Sequence, residues 1–238
     1  TLMESSATLE WKYPMRPSTV RGTPAHLSAN GNRDRFSYPS QQYAVLREVK
    51  NLRNGFLYFQ GHSQTVTAVQ CSPQGDRVLS ADELGSVYVW HADHPTLMVS
   101  WEFQGSSGPI HDIAFNDEGD RAAFVGEAVG GKVGKAVNLN LKKVDNELTG
   151  HPSRAPALAF KANRPYKVYT CSEDNSMNVY AAPPQVTLLK SLKPHKGFVN
   201  CVRVSPDHKT LVSCSADKSV VIHSVDTDEV LKHIENAH

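Results

Sequence analysis

The chain has 238 residues, enough to bury a sizeable core as one large domain or two small ones. Its 25 basic and 24 acidic side chains leave a formal charge of +1, so no electrostatic argument points to nucleic acid or to an anionic membrane surface. No apolar run approaches the roughly 20 residues of a membrane span, and Glu4, Glu10, Pro14 and Pro17 interrupt any secretory-signal core.

Residues 1–17 read as a poorly ordered leader, and the chain opens on Thr1 rather than Met. "PAHLSA", "RFSYPS", "YAVLREV" and "GFLYFQ" read as four short strands within 18–60. From Gly61-His62 onward a repeat is visible. Gly150-His151, Pro194-His195 and the terminal Ala237-His238 mark it again, at spacings of 89, 44 and 43 residues between successive histidines. The double spacing predicts one further unit whose histidine is lost, beginning near Gly108.

Each unit alternates apolar runs with turns rich in Pro, Asp and Gly. In the last one the runs are Val199–Ser205, Leu211–Ser215, Val220–Val225 and Val230–Ile234. Short alternating strands and no helical period predict an all-β chain of four-stranded antiparallel units, the signature of β-propeller blades. The blades fall at 18–60, 61–106, 107–149, 150–193 and 194–238. Cys71, Cys171, Cys201 and Cys214 sit singly inside strand-like runs, which reads as buried free thiols rather than a zinc site.

Two stretches imitate chemistry. "GEAVGGK" at Gly126–Lys132 is one position from a phosphate-binding loop, but Val133 stands where Ser or Thr would hold magnesium. A strand-like "KAVNLN" follows where a helix is required, so a Gly-rich turn between strands is the expectation. "HADH" at His91–His94 reads as a polar loop rather than a metal site. No cofactor and no catalytic constellation is expected, and the chain is read as a non-enzyme.

The Gly-His starts, the Ser-x-Asp turns and "VYVW" resemble the WD-repeat family, whose fold is a propeller and whose usual role is binding other proteins. The resemblance places His62, Ser80, Asp82 and Trp90 in that family's hydrogen-bonded tetrad. It likewise implies His151, Ser172 and Asp174 in the fourth unit, and His195, Ser215 and Asp217 in the fifth. Tyr180 and His223 replace the Trp, and His91 replaces the Asp after it.

A narrower resemblance lies in "PSTVRGTP", "RAAFVGE", "NRPYKVYTCSEDN", "APP" and "KGFVNCVRVSPD", in that order over about 17–238. These are similar to the N-terminal propeller of the actin-interacting protein 1 family. That family binds actin filaments and works with cofilin to take them apart. It implies actin filaments and cofilin or actin-depolymerising factor as partners, in the cytoplasm at the actin-rich cortex, with neither nucleic-acid binding nor membrane insertion. The family propeller has seven blades, so five blades imply part of a longer chain with exposed sheet edges. A generic WD-repeat adaptor, such as a ubiquitin-ligase substrate receptor or a trafficking coat, is the alternative.

Three residues stand out as contacts. Aligning "AFVGEA" with "VLSADE" puts Glu127 at the position of Asp82 and Asp217, in a unit that lacks the His and Ser to hold it. Such a carboxylate faces water or finds a cation elsewhere. Glu173 adds an acid beside Asp174 where Ala81 and Ala216 are small, and the resemblance implies a functional acid there. Phe198 follows His195 by three residues where other units have Thr65 and Arg154, and the resemblance marks it as a contact.

Overall fold

The computed structural model describes residues 16–18, 26–32, 34–51, 55–92, 98–161, 164–182 and 186–237. Most of the leader and part of "HADH" lie outside the described residues. Among the described residues every regular element is a strand. Alternating β-branched and small side chains, broken by turns that need positive φ, leave no apolar stripe of helical period.

Among the described residues five four-stranded antiparallel sheets follow one another, each a simple meander. The first holds β1 (Ser28–Ala29), β2 (Arg35–Ser40), β3 (Tyr43–Glu48) and β4 (Phe56–Phe59). The second holds β5 (Val66–Cys71), β6 (Arg77–Asp82), β7 (Ser86–His91) and β8 (Val99–Gln104). The third holds β9 (Ile110–Phe115), β10 (Arg121–Val129), β11 (Lys132–Asn138) and β12 (Lys143–Thr149). The fourth holds β13 (Ala157–Lys161), β14 (Lys167–Cys171), β15 (Met177–Ala181) and β16 (Leu188–Leu192). The fifth holds β17 (Val199–Val204), β18 (Thr210–Ser215), β19 (Val220–Ser224) and β20 (Val230–Ile234).

The sheets are blades of a β-propeller. Their inner strands are neighbours in sequence order, β1 and β2 on β5, β5 on β9, β9 on β13, and β13 on β17. The second, third and fourth sheets each bury one face on the sheet before and the other on the sheet after. Ala68, Leu79, Ala81, Val87 and Val89 pack on Ile110, Ile113 and Phe124 of the third sheet. Trp90, Val69 and Val78 pack the opposite way, on Ala44, Leu46 and Phe59 of the first. Strands buried on both faces need apolar or hydrogen-bonded side chains at every position, which is why strict polar alternation is absent from β6 and β14.

The fifth sheet differs. Its Cys201, Val212, Cys214, Val220 and Ile222 match Ala68, Leu79, Ala81, Val87 and Val89 by register. The second-sheet residues are at most 2% exposed, whereas Val212 is 37% exposed. What is uncovered here is thus a sheet face. The edge strands are the innermost and outermost strands of every blade.

Polar clasps tie separate sheets together. Asp112 in β9, fully buried, receives Arg203 from β17 at 2.9 Å, His26 from before β1 at 2.9 Å and the Leu158 amide at 3.0 Å. Burial pushes its carboxyl up, but the Arg203 charge and the His26 contact outweigh this and leave it below the ordinary carboxylate range. Asp228 beyond β19 does the same between the last two sheets, accepting from Tyr169 and Lys167 at 2.7 and 2.8 Å.

The Gly126–Lys132 stretch runs along β10 into a tight turn at Gly130 and Gly131, with φ of 60° and 77°, and back along β11. A two-residue turn with both φ positive closes a hairpin and offers no helix N-terminus for phosphate. All four cysteines are free; Cys71 and Cys171 are buried, and Cys201 and Cys214 are half-buried.

Candidate functional site

One hydrogen-bonded chain organises the second sheet. The Trp90 indole N–H donates to the Ser80 hydroxyl at 3.2 Å, and Ser80 meets His62 Nε2 at 2.7 Å. His62 Nδ1 lies 3.0 Å from Asp82 Oδ2, whose other oxygen accepts the Leu84 and Ser86 amides. An ionised carboxylate only accepts, so Nδ1 carries the proton and Nε2 accepts from Ser80. Burial drives the His62 pKa below its usual value despite Asp82, which keeps the ring neutral. The arrangement resembles a triad in composition, but its serine accepts from Trp90, donates to His62 and is fully buried, so no nucleophile is presented.

The fourth and fifth sheets repeat the motif with a shift. His151 Nε2 contacts Thr170 at 2.8 Å, and His195 Nε2 contacts Ser213 at 2.8 Å. Ser172 and Ser215, expected in these roles from Ser-x-Asp, do not reach the histidines. Ser172 donates to the Ser153 and Arg154 carbonyls, and both serines accept the amide of their turn aspartate. The strand register gives the reason. Ser80 matches Thr170 and Ser213, while Asp82 matches Ser172 and Ser215. The acid therefore sits two residues earlier in the second sheet. Asp174 still reaches His151 at 2.9 Å, but Asp217 stands 3.4 Å from His195, and Ser219 takes the closer place at 2.7 Å.

The aromatic member varies too. Tyr180, at the Trp90 position, donates to the Thr149 carbonyl at 2.7 Å. His223 occupies it in the fifth sheet, 1% exposed, with neither ring nitrogen hydrogen-bonded. In the third sheet Phe124 stands at the serine position and the network is replaced by apolar packing.

The same register corrects the placement of Glu127. Its amide donates to the Pro109 carbonyl, as Glu83 does to Thr65, Glu173 to Arg154 and Ala216 to Phe198. Glu127 thus corresponds to Glu173 and Glu83, not to Asp82 or Asp217, and the small residue matching Glu173 is Ala216 rather than Ala81. Nor is Glu127 without a partner: His111 Nε2 lies 3.0 Å away. Glu173 pairs with Arg154 at 2.6 Å, and Phe198 is 51% exposed.

Glu127, Glu173 and Phe198 thereby fall on one rim, at the junction where strand one begins and strand two ends, in three successive blades. Thr65 with Glu83 continues the row into the second blade. Glu83 escaped sequence reading because the shifted aspartate disguised its register; the signal was the distance from Trp90. Among the described residues no group of three or more His, Cys, Asp or Glu forms a metal site.

The WD domain, G-beta repeat family matches residues 55–91 and 186–224. Each match takes the outer strand of one sheet and the three inner strands of the next, so the sequence repeat is offset from the blade by one strand. With five such sheets, the chain is a WD-repeat protein of the β-propeller fold.

Among its relatives are Actin-interacting protein 1-2 of Arabidopsis thaliana, 31% identical over 92% of this chain and 36% of that protein, and the 66 kDa stress protein of Physarum polycephalum, 30% identical over 94% and 37%. WD repeat-containing protein 1 of Rattus norvegicus is 30% identical over 90% and 35%. Within the WD-repeat class this chain resembles actin-interacting protein 1, and it spans about a third of the length of the curated relatives it matches.

Proposed function

We propose that this chain binds actin filaments together with cofilin or a related actin-depolymerising factor, and promotes their disassembly by binding alone, in the cytoplasm at the actin-rich cortex. The observation that carries the reading is the alignment of Glu127, Glu173 and Phe198 on one rim of three successive blades. A row of acids ending in an exposed aromatic suits a partner surface with basic side chains around an apolar pocket. The names of the relatives supply actin as the candidate partner.

The mechanism is differential affinity. A surface that prefers the cofilin-altered filament over the bare one shifts the population toward that state and its breakage. No bond is made or broken, and WD-repeat propellers typically serve as non-enzymatic scaffolds.

Co-sedimentation tests the reading. With the chain and cofilin present, soluble actin is expected to rise above the level with cofilin alone, and without cofilin to stay at baseline. Phe198→Ala combined with Glu127→Lys is expected to abolish the increment. Unchanged sedimentation across all mixtures refutes the reading and favours an adaptor for other proteins.

A further inference from the structure

Glu83, Glu127 and Glu173 hold the same rim position in three successive blades, each donating its amide to the stretch that leads into the inner strand. They differ in what their own blades offer the carboxylate. His111 meets Glu127 at 3.0 Å, and Arg154 meets Glu173 at 2.6 Å. By register the places of those two cationic groups are held in the second blade by Thr67 and Thr65. Thr67 turns its hydroxyl to the Ile110 carbonyl at 2.5 Å and brings no charge. Half-buried Glu83 has no ion pair and no side-chain hydrogen bond among the described residues.

The next residue is released as well. Asp174 and Asp217 stand at the place of Leu84, and Asp174 turns inward to His151. In the second sheet Asp82 serves His62 from two residues earlier, so position 84 has no internal task, and Leu84 is 55% exposed. The backbone under both side chains is nevertheless fixed. Asp82 Oδ1 accepts the Leu84 and Ser86 amides at 3.0 and 2.9 Å, and the Leu84 carbonyl accepts from Gln104 Nε2 at 2.7 Å. Gly85, at φ 84°, closes the turn against the Ser106 carbonyl, where a Cβ has no room. The second sheet is covered on both faces by its neighbours, so neither side chain is bared by an open sheet face.

We propose that Glu83 and Leu84 anchor the rim to its partner by taking one lysine or arginine side chain. The cationic head pairs with Glu83, and the aliphatic stem lies on Leu84. The partner thus supplies the cation that this blade, unlike the next two, lacks. A turn already held by its own hydrogen bonds loses little freedom when the contact forms. At Glu127 and Glu173 an incoming cation has to displace His111 or Arg154, so the same contact there gains less. The inference rests on the actin-filament reading and names the chemistry of its main contact.

The folded 238-residue chain is titrated onto cofilin-decorated actin filaments and pelleted, at about 50 and 150 mM salt. The wild-type chain is expected to bind, and more weakly at the higher salt. Glu83→Gln is expected to raise Kd about tenfold and to flatten the salt dependence. Leu84→Ser is expected to raise Kd with the salt dependence kept. Glu127→Gln and Glu173→Gln are expected to change Kd by no more than about threefold. Thermal melts of Glu83→Gln and Leu84→Ser are expected to match wild type, because neither side chain has an internal partner. Wild-type binding with Glu83→Gln equal to wild type overturns this inference and leaves the actin reading standing. Equal losses in Glu83→Gln and Glu127→Gln, or a lowered melting temperature in Glu83→Gln that reveals an internal partner, overturn it too. Absence of wild-type binding overturns both.

Discussion

In the second sheet the Trp90 indole completes a chain through Ser80 and His62 to Asp82, and its ring stacks on Phe59 at a centroid distance of 5.3 Å. In the fifth sheet the same ladder position holds His223, buried to the same degree, with both nitrogens unbonded. The histidine partner has slackened as well, since Asp217 has withdrawn to 3.4 Å. One blade is closed by a donor that fills its slot; the other carries a polar ring that its slot does not satisfy. The lesson is that the repeat specifies a backbone ladder more strictly than it specifies the network threaded through it.

The sharpest way to break the contrast is to move the defect. Trp90→His is expected to cost about 3–4 kcal/mol, from a cavity beside Phe59 and a lost donor to Ser80, read as a lower urea midpoint. A loss below about 1 kcal/mol would mean the second sheet does not depend on its aromatic member.

Next in size is the response to acid. His62, His151, His195 and His223 all have pKa values lowered by burial. In the unfolded chain they protonate near pH 6.5. Below about that pH the unfolded state holds more protons than the folded one, so stability falls as pH falls and is flat above it. Thermal melts from pH 8 to about pH 5 are expected to show that break near 6.5. A melting temperature independent of pH over this window contradicts the burial of neutral rings.

His223→Phe is smaller and opposite in sign. It removes two unbonded buried nitrogens while keeping an aromatic ring, and is expected to stabilise by about 1 kcal/mol and to flatten the acid response. Destabilisation in chemical denaturation would show that His223 has a partner in solution. The smallest effect is expected at the rim. Phe198→Ala, at a half-exposed site, should change stability by no more than about 0.5 kcal/mol, so any effect on actin co-sedimentation would be a contact effect.

The repeat, the all-β class and the four strands per unit were legible because a 43- or 44-residue spacing and short apolar runs between turns leave little alternative. The histidines were legible for the same reason: each stands just before strand one, at a fixed distance from the ladder. The serines at 172 and 215 were misread for a physical reason. A slip of two residues along a strand returns the side chain to the same face, so Ser80-x-Asp82 and Ser215-x-Asp217 look alike while occupying registers two apart. The same slip hid the kinship of Glu83, Glu127 and Glu173. The His111 partner of Glu127 and the Arg154 partner of Glu173 lie across a strand pair, which local pattern does not report.

The succession of four-stranded units, their order and the residues able to form a tetrad follow from local period and turn chemistry and are written in the sequence. Which of those residues meet is set by the packing of one sheet on the next. The clasp of His26 and Arg203 on Asp112 joins residues 86 and 91 positions apart. The Cys201–Cys214 opposition depends on the bulge between Val199 and Cys201. Register and burial arise from how sheets stack around a common centre, a property of the whole assembly of strands that no single segment carries.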